Sequence, residues 1–170
     1  MTDFDIIILG AGAAGLMAGI EAGRRGRRVL VVDHARDPGE KIRISGGGRC
    51  NFTNVNATHV LGRERFLSQN PRFALSALSR YTPEMFIEKV KKRGISFHEK
   101  TLGQLFCDGP ATQIVAMLID ELRQAGAAIW TGRTVGSVEK TDAGFKVLVG
   151  DGYVTSESVI VATGGKSIPK

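Results

Sequence analysis

A glycine-rich turn near the start of the chain has residue types and spacing that point directly to chemistry. Residues 10–15 are Gly-Ala-Gly-Ala-Ala-Gly, a G-x-G-x-x-G pattern, and an aspartate follows 18 positions later. Such a turn lets the chain bend tightly, lets a pyrophosphate approach the backbone at the helix N-terminus, and lets helix and strand pack closely. The aspartate would accept hydrogen bonds from a ribose, and the histidine after it would border an adenine. The residues predicted for this dinucleotide site are Gly10, Gly12, Ala13, Ala14, Gly15, Asp33 and His34.

The residues around this turn predict a βαβ unit. Residues 4–9 are apolar and β-branched, as in a buried parallel strand, and residues 13–25 form an alanine-rich helical pattern capped by Gly26. A second apolar strand at 29–32 ends at the aspartate. A strand, glycine turn, helix, strand and acidic residue in this order are the context that the fingerprint requires.

A second glycine-rich segment, between residues 36 and 58, is predicted to be a long loop with a function. Three consecutive glycines followed by arginine let a backbone fold closely over a planar or anionic ligand, and successive N–H groups can form an anion-binding concavity. Two basic side chains would add positive charge near a pyrophosphate. The residues predicted to bind cofactor here are Lys41, Ser45, Gly46, Gly47, Gly48, Arg49, Cys50 and Asn51.

Composition places the chain among folded globular proteins. It has 170 residues, 42% hydrophobic and 24% charged, and contains no apolar run long enough to span a membrane; its first residues lack the basic segment and cleavage site expected of a signal peptide. We therefore expect one domain, a cytoplasmic location and no membrane partner. The two cysteines lack metal-ligand or C-x-x-C spacing, so we expect no metal site and no disulfide.

The net charge of +6 is unevenly distributed, because residues 1–95 hold 16 Lys and Arg against 9 Asp and Glu. Four of these arginines lie at 24–28, at the end of the first predicted helix, where cations complement the helix dipole. No aromatic residues alternate with this run, so a solvated helix end is favoured over a polyanion site. We therefore expect a small-molecule substrate and no nucleic-acid partner.

The rest of the chain predicts further short elements. Helical patterns occupy 71–80, 83–93 and about 108–125, and a hairpin occupies 95–99 and 103–106. A third parallel strand is expected at 128–130, followed by a three-stranded meander at 135–139, 145–149 and 153–155, and by a further apolar strand at 158–162. Trp130 and Cys107 are predicted to be core residues.

This order of elements resembles the FAD domain of glutathione-reductase-type flavoproteins rather than a plain nicotinamide domain. The meander replaces a crossover helix, and an Ala-Thr-Gly turn at 162–164 closes the strand that follows it. The resemblance implies a Rossmann-like α/β fold, with a parallel sheet, helices on both faces and a β-meander crossover. It implies FAD as the cofactor, with contacts from Val135, beside the adenine, and from Ala162, Thr163, Gly164 and Gly165.

Three segments resemble the BaiN-like (YhiN-like) family of NAD(P)/FAD-dependent oxidoreductases. They are Gly39–Asn54, Gly103–Gly109 and Ala162–Pro169, and the resemblance extends from Phe4 to Lys170. It implies flavin-dependent hydride transfer, with NAD(P)H or a small organic substrate as the electron donor. Family members continue into an inserted domain, so residues 1–170 are interpreted as a C-terminally truncated FAD/NAD(P)-binding domain.

Alternative functions stay open at this stage. The same fingerprint would suit an NAD-dependent dehydrogenase, and the basic first half leaves a non-catalytic flavin-binding or nucleic-acid-binding module. Cys50 is interpreted as a packed or cofactor-facing thiol rather than a nucleophile. His59 and His98 have no partners at the spacing of a metal site or triad, so no catalytic residue is assigned. The sequence does not determine the oligomeric state.

Overall fold

The computed structural model describes residues 2–61, 64, 66 and 68–165. The chain divides into two compact units, the first made of Met1–Lys41 with Val115–Lys170 and the second of Ile42–Ile114. The predicted assignment of residues 1–170 to one dinucleotide-binding domain stays a prediction. Lys166 to Lys170, with the end of the third family-like segment, lie outside the described residues.

The predicted βαβ unit is present in the first unit. Strand β1 (Phe4–Leu9) pairs in parallel with β2 (Val29–Val32), and helix α1 (Ala13–Arg24) connects them. Gly26 has φ 74°, and its N–H donates to Gly23 O at 2.8 Å, as expected for a glycine that ends a helix. The third predicted strand, β6 (Ala128–Trp130), pairs in parallel with β2.

The meander continues directly into the parallel sheet. Strands β7 (Val135–Thr141) and β8 (Gly144–Val149) are antiparallel, as predicted, but the next two predicted strands are one strand, β9 (Gly152–Val161). The first half of β9 pairs with β8 and its second half pairs in parallel with β1. The prediction of a break at 156–157 was wrong because Ser156, although polar, is fully buried and donates its hydroxyl to Ser158 O at 2.9 Å.

The resulting six-stranded sheet has the order β6-β2-β1-β9-β8-β7, which is a Rossmann-like α/β arrangement with a meander. Helix α1 covers one face together with the C-terminal part of helix α5 (Thr112–Gln124): a Cβ built at Gly19 would lie 2.6 Å from Leu122 and 3.0 Å from Val31. The opposite face packs against side chains of the meander. The buried residues of that cluster are Ile7, Leu9, Leu30, Val32, Val147, Val149 and Val154.

One prediction about this sheet needs correction. Trp130 is not a core residue, because it is 40% exposed and lies edge-on to Phe4 with ring centroids 6.4 Å apart. It stands at the end of the edge strand β6, where strand periodicity does not distinguish a buried indole from a partly exposed one.

The second unit contains a three-stranded antiparallel sheet, whose strands lie in the order β3 (Asn51–Asn54), β5 (Gln104–Cys107) and β4 (Phe97–Glu99). The predicted hairpin is β4 with β5, and β3 adds to its other side. The predicted 36–58 loop is therefore partly regular: it contains helix α2 (Glu40–Ile44), a 3₁₀ turn (Ser45–Gly48) and β3.

Helices α3 (Leu75–Arg80) and α4 (Pro83–Lys92) lie between β3 and β4 in the part of the chain that the structure describes. Helix α3 starts later than the predicted residue 71, whereas α4 begins as predicted, with Thr82 Oγ1 accepting from Met85 N at 3.4 Å. Helix α5 starts at Thr112 rather than 108 because Asp108 N is bonded to Ser96 O. No helix within the described residues has the length and apolar character needed to cross a membrane.

The packing of α1 against the turn after α5 generates a stability prediction. Helix propensity alone predicts that Gly23→Ala stabilises α1 by about 1 kcal/mol. The new Cβ would lie 2.5 Å from Ala125 O, a backbone atom that cannot rotate away. We therefore expect Gly23→Ala to destabilise the protein by roughly 1–3 kcal/mol in urea unfolding, and an unchanged or increased stability would contradict this packing.

Candidate functional site

At the predicted glycine turn, the turn itself, the start of α1 and the end of β9 approach so closely that Gly10 and Gly15 have no space for a Cβ atom. Gly10 has φ 109°, and a Cβ there would lie 2.6 Å from Ala162 O. A Cβ at Gly15 would lie 1.8 Å from Gly10 O. Gly10 N donates to Val32 O at 2.7 Å, and Ala162 N donates to Leu9 O at 2.8 Å. The turn, the start of α1 and the end of β9 are therefore locked together by backbone contacts.

Gly12 differs from the other two glycines, because its surroundings are open. No heavy atom lies within 4 Å of a Cβ built at Gly12, apart from its immediate neighbours. Gly12 is the N-cap of α1 and provides no side-chain hydrogen bond, and the next residues, Ala13 and Ala14, are exposed. The first N–H groups of a helix have no acceptor within the helix, and its N-terminus carries partial positive charge. The geometry therefore suits a phosphate group, as the fingerprint predicts.

Asp33 holds the glycine turn in place. Its Oδ2 accepts from Ala11 N at 2.5 Å and its Oδ1 accepts from Ala35 N at 2.9 Å. The carboxylate is 14% exposed, and the His34 imidazole, 80% exposed, has its Nδ1 3.3 Å from Oδ1. Asp33 thus has a structural role that the sequence did not predict, and the predicted bond to a ribose would use its remaining acceptor positions.

Lys41 and the residues after β9 meet at the same end of the sheet. Lys41 Nζ donates to Gly165 O at 3.0 Å and lies 3.4 Å from a Cβ built at Gly164, which has φ 79°. Thr163, between Ala162 and Gly164, is exposed. The structure therefore brings the Lys41 side chain close to the Ala-Thr-Gly segment. This proximity is needed if both are to contact the same cofactor.

A groove of about 460 Å³ lies at the end of β6. Its lining residues are Ile129, Trp130, Thr131, Arg133 and Val149. Asp33 N donates to Trp130 O at 2.9 Å, so the groove and the aspartate are at the same sheet edge. Val135, predicted to lie beside an adenine, is half-buried against the core cluster. Sequence reasoning missed Trp130 and Arg133 as groove residues, since neither belongs to a motif.

The predicted glycine loop belongs to the second unit, and hydrogen bonds between its own backbone groups stabilise its conformation. Gly46, Gly47 and Gly48 have φ of 59°, 66° and 85°, in the left-handed region that glycine tolerates. A Cβ at Gly46 would lie 2.5 Å from the Phe106 ring. The sequence predicts that successive N–H groups of this loop bind an anion. The Cys50 N–H instead donates to Ser45 O at 3.0 Å, so this donor already has an acceptor.

Arg49 and Asn51 also have partners inside the second unit. The Arg49 guanidinium donates to the backbone oxygen of Asp108, and its own N–H donates to Gly46 O at 3.4 Å. Asn51 is exposed on β3, opposite Phe106. These contacts explain the order of the loop without a ligand, and the predicted cofactor role of these residues stays a prediction.

The second unit also contains a carboxylate–imidazole pair that sequence reasoning missed. His98 Nδ1 lies 2.6 Å from Asp108 Oδ1, and the imidazole stacks on Phe106 at 6.5 Å. The sequence offered no partner for His98 at the spacing of a metal site or triad, and the structure gives it Asp108, ten residues later. The hairpin register was the available signal: His98 pairs with Phe106, and Asp108 lies two residues beyond, on the same face.

The two cysteines are buried and reduced. Burial raises the pKa of the Cys50 thiol, and burial together with the charges of Cys50 and Asp108 raises the pKa of Cys107 to about 11. A thiol with a raised pKa carries little thiolate at neutral pH and is a poor nucleophile. This agrees with packed thiols, as predicted for Cys50 and Cys107.

The family is established by a match over residues 4–170 to the HI0933-like protein Rossmann domain. The chain belongs to this family. It is 49% identical over 169 residues to the Ribosomal RNA dihydrouridine synthase of Escherichia coli (strain K12), covering 99% of this chain and 41% of that protein. It is 46% identical over 167 residues to the Haemophilus influenzae protein of the same name, covering 96% and 41%. The chain therefore spans about two fifths of the length of these relatives.

Solved flavoprotein structures share the fold at low sequence identity. The halogenase PltM in complex with phloroglucinol and FAD superimposes with a TM-score of 0.57 at 18% identity, covering 94% of this chain and 34% of PltM. The predicted Rossmann-like fold is therefore confirmed.

The contrasting surroundings of Gly12 and Gly15 predict effects of different size for the same substitution. Gly15→Ala should destabilise the protein by at least about 2 kcal/mol, since its Cβ meets backbone. Gly12→Ala should change stability by less than about 0.5 kcal/mol, because the position is open and its φ of −81° suits alanine. Urea unfolding of both variants measures this difference, and equal losses would contradict the assigned contacts.

The raised thiol pKa of Cys107 predicts a pH dependence of stability. The folded state holds the thiol proton more tightly than the unfolded chain, so its contribution is fully present below the ordinary pKa of 9.0 and is lost as pH rises through about 11. The free energy of unfolding of the native protein should therefore fall over this range more steeply than that of Cys107→Ala. Parallel urea titrations at several pH values give the comparison, and identical slopes would contradict the shift.

Proposed function

We propose that the protein is a flavin-dependent reductase that converts uridine in ribosomal RNA to dihydrouridine, and that this chain supplies its dinucleotide-binding part. The observation that carries this proposal is the 49% identity, across 99% of the chain, to a relative named Ribosomal RNA dihydrouridine synthase. Identity at this level extends through both compact units. The proposal replaces the sequence-based expectation that the protein has no nucleic-acid partner.

The residues of the first unit fit FAD. The open N-terminus of α1 at Gly12 would hold the pyrophosphate, with Lys41 supplying positive charge. Asp33 would hold the ribose while keeping the turn in place. Bound FAD would supply the two-electron redox chemistry, which no protein side chain here provides.

The overall reaction defines what else the protein must bind. Reduction of uridine saturates the C5–C6 double bond, and uridine, one NAD(P)H and one proton give dihydrouridine and NAD(P)⁺. A nicotinamide cofactor is therefore proposed as the electron donor, in agreement with the resemblance to the BaiN-like family. A cytoplasmic location is proposed with it. The curated relatives are longer than this chain, and the catalytic residues are not assigned within it.

The test uses the full-length protein and a matched pair of substitutions. We expect the purified protein to carry a flavin absorbance spectrum and, with NADPH and unmodified ribosomal RNA, to form dihydrouridine detectable by mass spectrometry of nucleosides. Gly12→Asp should abolish both, because a carboxylate would occupy the phosphate position. Gly152→Asp is the control, since Gly152 is exposed and equally open.

Each outcome has a defined meaning. A flavin spectrum without dihydrouridine would contradict the proposed RNA reaction, but it would agree with a flavoprotein oxidoreductase that acts on another substrate. Absence of flavin after supplying FAD would contradict the flavin assignment. Equal loss in both glycine variants would show that the effect comes from charge or folding rather than from the predicted phosphate site.

A further inference from the structure

The excess positive charge of the protein lies entirely in the second unit. Residues 42–114 contain 11 Lys and Arg against 5 Asp and Glu, a net charge of +6, whereas the residues of the first unit contain 12 of each sign. The basic helix end at 24–28 belongs to the first unit, where acidic residues balance its charge. The net positive charge of residues 1–95 therefore comes from the second unit.

Ion pairing sharpens the contrast. In the first unit, Arg24 lies 2.7 Å from Glu121 and Arg28 lies 2.6 Å from Asp5, and Arg25 pairs with Glu21 at 2.7 Å. In the second unit, the exposed Lys92 and Arg72 have no carboxylate partner among the described residues, and Lys91 has only a 3.5 Å contact with Glu88. Cations without a carboxylate partner attract a polyanion without first breaking an ion pair.

An exposed aromatic side chain lies next to one of these cations, Arg72, in the sequence. Phe73 follows Arg72 directly and is 84% exposed just before α3. An aromatic ring beside basic residues is the arrangement that holds single-stranded nucleic acid, because bases stack on the ring while cations contact phosphates. The arginine run at 24–28 lacks this combination.

The chemistry of the proposed reaction favours a single-stranded partner. A uracil inside a duplex is stacked on both faces, so an enzyme that acts on its ring must take an unpaired base or extrude it. The nucleotides on either side of that base would then be bound by stacking and by phosphate contacts, which do not depend on base sequence.

We propose that the second unit is the RNA-binding part of the protein, with Phe73 stacking on an unpaired base and Arg72, Lys91 and Lys92 contacting phosphates. This inference rests on the proposed function and assigns the RNA contacts to a specific part of the chain. The first unit, in which 12 basic and 12 acidic residues balance, then serves the cofactor.

The first test compares two double variants with the same change in net charge. We expect Lys91→Gln/Lys92→Gln in the full-length protein to weaken binding of a fluorescent single-stranded RNA. The plot of log affinity against log salt should become less steep by about 1.4, the value for two lost phosphate contacts on a single strand. The control is Arg123→Gln/Lys140→Gln, at two exposed positions of the first unit, which should leave the salt dependence unchanged. Equal effects of both pairs would overturn the proposal.

The second test concerns stacking. Phe73→Ala should weaken binding of single-stranded RNA at least about fivefold, with duplex RNA and heparin unaffected, and Phe73→Trp should restore it. Tyr153→Ala removes an exposed aromatic ring of the first unit and should have no effect. Equal weakening for heparin, or no change for single strands, would overturn the role of Phe73.

These outcomes are separable from failure of the proposed function. If RNA binds through the second unit but no dihydrouridine forms, the reaction is wrong and the surface assignment stands. If dihydrouridine forms and the two charge variants behave alike, the reaction stands and the surface assignment is wrong.

Discussion

The close approach of three backbone segments at Gly10, Gly15 and Ala162 is the constraint on which the first unit depends. The start of α1 is in contact with the turn after β1, and that turn is in contact with the end of β9. None of these contacts leaves space for a Cβ, so the two glycines are required for steric reasons before any ligand is considered. The same contacts fix the N-terminus of α1 at the carboxyl ends of β1 and β9, where a phosphate would meet its unpaired N–H groups.

Asp33 connects this turn to the next strand. By accepting the Ala11 N–H it satisfies a donor inside the tight turn, and by accepting the Ala35 N–H it holds the segment after β2. A buried backbone donor without an acceptor is costly, so loss of this carboxylate would disturb the turn as well as any ribose contact. The acidic residue of the fingerprint therefore contributes to forming the site, in addition to its expected role in ligand binding.

The sequence predicted those parts of the structure that depend on local patterns. Strands β1 and β2, helix α1 and its capping glycine follow from hydrophobic runs, helix propensity and glycine positions. It did not predict the order within residues 36–58, because that order depends on distant partners such as Ala111, whose N–H donates to Gly48 O at 2.7 Å. The His98–Asp108 pair and the exposed Trp130 were missed for the same reason: each depends on strand register or on an edge position in the sheet. The roles of individual site residues were derived from a motif and a resemblance, and the geometry supports Gly12 and Lys41 more directly than it supports the glycine loop.

The two compact units differ in the kinds of contact that they offer to a ligand. The first unit offers backbone N–H groups and a helix dipole, which suit a compact anion held at short range, and its basic and acidic residues are equal in number. The second unit offers long basic side chains and an exposed ring, which suit an extended polyanion whose contacts are screened by salt and tolerant of sequence. Under the proposed function, the unit with net charge +6 would attract RNA more strongly than the unit with balanced charge. The dinucleotide and the RNA would then be bound by different parts of the chain, because a short-range phosphate site and an extended basic surface select anions of different size.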